Sequence, residues 1–292
     1  MDLLVEPFTY AFFTKGLIVA GLSGALLGFI GVFIVLRGMS YIGHGLSHSI
    51  FGGFAAAQLF AAQFYLLGAG IWGIASAIAI TTVAKRGRVG ADAAIGVITT
   101  ASFALGVALF AKFGTSGPSF ENALFGSILG INPEQIVALV AITILTGAFV
   151  LLRYRALLFS TFDPDVADVS GVRVGRLEAM LMVMLSLAIL ATLTVIGVTL
   201  VAAMLVIPAV IGRMLTDSFA RMLALSTAIG IACGGIGMYL SYFAGVPSGT
   251  MIVLVGAFLF LIVLAVTGGR GLRRSVGLDS HVEGPALATV GR

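Results

Sequence analysis

A chain of 292 residues that is 60 % hydrophobic and only 10 % charged, with a mean hydropathy of +1.16, is excluded from ordinary soluble domains, whose charged fraction is about a quarter. Sixteen Lys and Arg against twelve Asp and Glu leave a net charge of +4, and the one cysteine, Cys233, rules out an internal disulfide and a cysteine-based metal cluster. These bounds describe an all-α polytopic membrane protein with eight or nine transmembrane helices, short connections and no room for a soluble catalytic domain.

The N-terminus, MDLLVEPFTYAFFTKG, carries acids instead of a basic region, and no small-residue cleavage signal follows its first apolar run. It reads as uncleaved and interfacial, with Phe8, Tyr10, Phe12 and Phe13 at headgroup depth. A first span is expected over 16–36, where Gly21, Gly24, Gly28 and Gly31 form a small-residue stripe suited to packing against neighbours.

The second span, 41–62, lies within Arg37 to Gly53, RGMSYIGHGLSHSIFGG, and carries His44 and His48. Histidines at i and i+4 share a helix face, close enough to hold one metal ion or to exchange one proton. The twelve acids and sixteen basic residues all fall at or beyond the ends of apolar runs, which leaves these two histidines as the membrane-embedded ionisable pair. Ionisable groups within a bilayer are costly and tend to mark a pathway. Neutral histidines that hydrogen-bond across a helix interface are the structural alternative. Gly43, Gly45, Ser47, Ser49, Gly52 and Gly53 make this helix unsuited to facing lipid and permit close helix approach or a water-lined face.

Further spans are expected over 65–84 and 93–112. Residues 113–133, FGTSGPSFENALFGSILGINP, contain an apolar piece too short to cross, which suits a re-entrant or interfacial helix, and Asn132-Pro133 starts the fifth span, 134–152. The connection from Arg153 to Arg176, RYRALLFSTFDPDVADVSGVRVGR, holds a helix-start signal at Phe162-Asp163-Pro164 and a partial apolar stripe at Val166, Val169 and Val172. A docking helix and an amphipathic connector resting on lipid both fit that pattern. Four more spans follow, at 177–195, 197–214, 222–243 and 249–267, and Pro208 sits inside the seventh of the nine.

With nine spans the basic residues sort by side. Fourteen of the sixteen fall on one side, and only Lys15 and Lys112 on the other, so the positive-inside rule places the N-terminus outside and the C-terminus in the cytoplasm. No GxxxxGK followed by Ser or Thr is present, so this chain does not hydrolyse ATP by that route, and no HExxH argues for an intramembrane zinc protease. A secondary transporter or channel working through the same two histidines remains compatible with the residues alone.

The segments RGMSYIGHGLSHS, FALGVALF, ENALFGSILGI, FDPDVADVSGV, VIGVTLVAAMLVIPA and SYFAGVPSGTMIVL, in that order, resemble the membrane permease of bacterial zinc and manganese ABC importers, from about Pro7 to about Leu264. The resemblance implies an ABC-importer permease fold, with 1–267 as a single transmembrane permease domain, while the basic, glycine-rich composition of 268–292 reads as a disordered cytoplasmic tail. It also implies a multi-pass protein of the bacterial inner membrane that pairs with a second copy of itself, with cytoplasmic ABC ATPase subunits and with an extracytoplasmic metal-binding protein. It implies no nucleic-acid partner, no enzymatic activity and no permanently bound cofactor, only a transported divalent metal. Coupling to the ATPase is implied for Phe162, Asp163, Asp165, Ala167, Asp168 and Gly171. In this family the metal-contacting pair is usually an aspartate followed four residues later by a histidine, whereas this chain has His44 and His48. Imidazole suits zinc better than manganese, so the departure points to zinc as the cargo, with manganese or iron as alternatives.

Overall fold

The computed structural model describes residues 5–60, 65–85, 91–113, 124–126 and 131–279. A short 3-10 turn, Glu6–Thr9, leads into α1 (Ala11–Leu36), α2 (Ser40–Phe60), α3 (Tyr65–Lys85), α4 (Ala91–Phe113) and α5 (Pro133–Leu152). Two short helices, α6 (Tyr154–Phe162) and α7 (Pro164–Val169), precede α8 (Val174–Ile196), α9 (Val198–Leu215), α10 (Phe219–Ala244) and α11 (Ser248–Asp279). Every regular element among the described residues is helical, as backbone groups in hydrocarbon require.

Nine long helices stand where nine spans were expected, but only seven are by themselves long and apolar enough to cross a membrane among the described residues: α1, α4, α5, α8, α9, α10 and α11. The expected count of eight or nine is thus slightly high among the described residues, and α2 is the clear exception. Histidine, serine and glycine dilute α2, whereas the described side chains of α3, Leu67–Val83, form a continuous apolar stretch. The second helix can carry these polar and small residues because it packs against α3 and α4.

The first helix is the centre of the bundle, with 78 % of its most apolar window buried against 17 % for α5 and α11. Its expected small-residue stripe makes a close crossing: a Cβ at Gly24 would land on the carbonyl of Gly230 in α10, and one at Gly28 on that of Ser226. Ser226 Oγ donates to the Gly28 carbonyl at 2.6 Å, closing the crossing with a polar contact. Phe13 is fully buried, edge-on to Phe8 and to Tyr242 of α10. An aromatic at the start of a span goes inward when a neighbouring helix supplies an aromatic cage.

Between α8 and α9 the chain turns at Gly197 (φ +89), where a Cβ would strike the carbonyl of Leu124. The short piece Leu124–Gly126 lies against this break, and Thr199 Oγ1 donates to the Leu124 carbonyl at 2.8 Å. The rest of the expected re-entrant segment, 114–123 and 127–130, lies outside the described residues, as does 280–292 of the expected tail. Helix α11 continues beyond 267 to Asp279.

Candidate functional site

His44 and His48 sit one helical turn apart on α2, and the Nε2 atoms of their rings are 3.1 Å from each other. The rings are nearly perpendicular, at 81° with centroids 4.4 Å apart, so the two nitrogens converge on one point. His44 is exposed and His48 half-buried, edge-on to Phe103 of α4 at 4.6 Å. The Nδ1 atom of His48 is buried without a hydrogen-bond partner, so the polar interaction of that ring is made through Nε2, towards His44. Ser47, fully buried, donates to the His44 carbonyl at 2.8 Å. The structure thus brings together the two residues selected from sequence. Among the described residues no third His, Cys, Asp or Glu joins them.

The helix carrying the pair is held by close backbone approach. A Cβ at Gly52 would fall on the Ser102 carbonyl of α4, one at Gly53 on the Trp72 side chain of α3, and one at Gly45 would meet Ile95 and Thr99. These glycines therefore serve helix packing, the first of the two uses open to them in the sequence. A polar chain reinforces the contact: Trp72 Nε1 donates to Ser102 Oγ at 2.7 Å, and Ser102 Oγ donates to the Ser49 carbonyl at 3.1 Å. Trp72 and Ser102 position α2 without touching either histidine. Nothing in their sequence neighbourhoods distinguishes them, apart from Trp72 being the one tryptophan.

The residues expected to couple to an ATPase form a compact knuckle. The helix-start signal is observed as Asp163 capping α7, its side chain accepting from the Val166 amide at 3.1 Å, with Pro164 in the first turn. Ala167 is fully buried, whereas Phe162 is 63 % and Val169 86 % exposed. Asp165 and Asp168 are exposed beside them, and Gly171, at φ +87, turns the chain out of α7. The knuckle thus presents apolar and acidic groups outward on a buried alanine footing.

Arg37, at the C-terminal end of α1, links this knuckle to the histidine helix. Its Nη2 donates to Ser160 Oγ at 3.0 Å and its Nε to Thr161 Oγ1 at 3.2 Å, both on the last turn of α6. Burial pulls the guanidinium pKa down from its usual value, and the nearby Glu178 carboxylate on α8 pushes it back up, so the ion is held in a partly dry, charge-matched place. One tight turn further on, through Gly38 (φ +67), α2 begins. Phe219 adds an apolar tie, with its ring 5.4 Å from Phe33 of α1 and 6.4 Å from Phe162. Sequence reasoning used Arg37 only as a sidedness marker, because its partners lie more than 120 residues away.

The chain matches the model of the ABC 3 transport family over residues 9–267. It is 36 % identical over 267 residues to the manganese transport system membrane protein MntC of Halalkalibacterium halodurans, covering 91 % of each chain. It is 33 % identical over 261 residues to the chelated iron transport system membrane protein YfeC of Yersinia pestis, covering 89 % of this chain and 88 % of the other. Among solved structures it resembles a chain of PsaBC from Streptococcus pneumoniae in complex with Fab, with a TM-score of 0.82 at 28 % identity over 90 % of this chain and 95 % of that one. Matched along nearly its whole length and built from helices that span a membrane many times, the chain belongs to the ABC 3 transport family, as a membrane permease subunit and not an enzyme.

Proposed function

We propose that this permease carries a divalent transition-metal ion inward through the site formed by His44 and His48, with zinc as its preferred cargo. The observation that supports this reading is the convergence of two Nε2 atoms 3.1 Å apart on a helix otherwise devoted to packing. Two Zn–N arms of about 2.0–2.1 Å at a tetrahedral angle place their nitrogens about 3.3 Å apart, so the pair needs little adjustment to share one ion. With the N-terminus outside, α2 starts at the cytoplasmic side, so an inbound ion reaches half-buried His48 first and exposed His44, one turn nearer the cytoplasm, next. Two ligands leave zinc short of its usual four, a weakness that suits transport, since an ion held too completely does not leave.

The rest of the assembly follows from the family reading. Residues 1–267 form the transmembrane domain of an inner-membrane protein with its N-terminus outside and its C-terminal tail, 268–292, in the cytoplasm, as fourteen of sixteen basic residues favour. Two copies pair. An extracytoplasmic metal-binding protein delivers the ion, and cytoplasmic ATPase subunits dock on the knuckle of Phe162, Asp163, Asp165, Ala167, Asp168 and Gly171. ATP-driven movement of that knuckle reaches α2 through Arg37.

A second reading of the cargo, manganese or iron, draws on the names of relatives: MntC for manganese and YfeC for chelated iron. The imidazole pair disfavours manganese, which favours oxygen ligands, but does not separate zinc from iron, since both accept imidazole. The test is ATP-dependent uptake of zinc, manganese and iron(II) in competition, by vesicles holding this chain with its ATPase and binding protein. Zinc should outcompete manganese. Preferential manganese uptake would overturn the zinc assignment.

A further inference from the structure

Away from the histidines, the structure contains a cavity of about 430 Å³ between the end of α5, the start of α6 and the first turns of α8. Three arginines line it, Arg153, Arg173 and Arg176, and none of its lining residues is acidic. Arg153 stands at the junction of α5 and α6, and Arg173 caps α8 while offering no side-chain acceptor to the first-turn amides. The positive end of the α8 dipole therefore adds to the three guanidinium charges. The wall then changes character, to Ala156, Leu177 and Met180. Beside it the last turn of α5 presents Leu151 and Leu152, 71 % and 83 % exposed, on a helix that is little buried within the chain.

We infer that this cavity binds the phosphate headgroup of an anionic phospholipid, with the guanidiniums around the phosphate and the start of the acyl chains along Met180 and Leu152. The combination of basic mouth and apolar wall at the end of two membrane spans argues for a lipid over a free anion, because a free phosphate would use only the polar half. Arginine forks match phosphate oxygens bidentately, which explains three of them around one hollow. A protein partner is the weaker occupant on charge. The adjacent knuckle meets its partner with Asp165, Asp168 and exposed apolar groups, and a partner surface complementary to those acids is basic, opposite to what the cavity attracts. The inference rests on the membrane-spanning fold and is independent of the metal assignment.

The test uses the full-length chain purified in a neutral detergent, measured by native mass spectrometry and by thermal melting with added lipid. Phosphatidylglycerol should stay bound and raise the melting temperature, and phosphatidylcholine or millimolar inorganic phosphate should do neither. The triple variant R153Q/R173Q/R176Q should lose phosphatidylglycerol affinity by ~10-fold or more, since each arginine near an anionic lipid contributes measurably. Arg155→Gln removes the same charge from an exposed arginine outside the cavity and should leave retention unchanged, which separates the site from general basicity. Should the triple variant fail to fold, the single variant Arg176→Lys, which keeps a charge but loses the fork, should show reduced affinity for phosphatidylglycerol. Equal stabilisation by inorganic phosphate would overturn the lipid assignment. So would unchanged lipid retention in the triple variant, and if that variant then lost its ATPase subunit, the cavity would be a protein-docking surface.

Discussion

Replacing Arg37 with methionine keeps an unbranched stem to pack beside α6 and removes both hydrogen bonds to Ser160 and Thr161. Hydrogen bonds from a charged donor contribute about 1.5–3 kcal/mol each when one partner is removed. Neither hydroxyl is orphaned, because Ser160 Oγ and Thr161 Oγ1 also donate to the Leu157 carbonyl, at 3.2 and 2.6 Å. The low end therefore applies, giving about 3 kcal/mol for the pair, or about a hundredfold in the equilibrium between linked and unlinked arrangements of α1 and α6. If the link transmits motion, ATP hydrolysis by the reconstituted importer should persist while the metal moved per ATP falls by ~10-fold or more. Arg37→Lys, which retains the charge but not the fork, should recover part of the loss. An unchanged ratio of metal moved to ATP hydrolysed in Arg37→Met would refute the coupling role and leave Arg37 a structural tie.

His44→Ala and His48→Ala should each lower ATP-dependent zinc uptake by ~10-fold or more, and normal uptake by the well-expressed double variant would remove the histidines from the pathway. His44→Asp exchanges an imidazole for a hard anionic oxygen and should shift competitive uptake part of the way from zinc towards manganese; an unchanged ratio, with His44→Ala inactive, would assign His44 to gating or structure. Cysteines introduced at exposed Asp165 or Asp168 should crosslink to the ATPase subunit, whereas free labelling of both from outside the cell would reverse the proposed topology. Gly52→Val should lower the melting temperature of the purified chain, because its Cβ meets the Ser102 carbonyl and overpacking costs about 1–3 kcal/mol; unaltered melting would show that α2 and α4 separate there without cost.

Composition alone decided that this chain spans a membrane, and apolar runs placed all nine long helices. The histidine pair was legible for a simple reason. Residues at i and i+4 of one helix meet whatever the rest of the chain does, so the 3.1 Å approach follows from spacing once α2 is a helix. Asp163 capping α7 is local in the same sense. What surrounds these features was not legible, because it joins residues far apart in sequence. Arg37 finds Ser160 and Thr161, Trp72 and Ser102 brace α2 from behind, and Phe13 enters an aromatic cluster with α10. Three arginines scattered along the connection from α5 to α8 line one cavity only because the knuckle folds that connection back on itself. In a bilayer every helix is apolar, so hydrophobic pattern identifies the spans without saying which faces meet. Glycine contacts, polar links and aromatic shape make that choice, and they exist only once the helices are assembled.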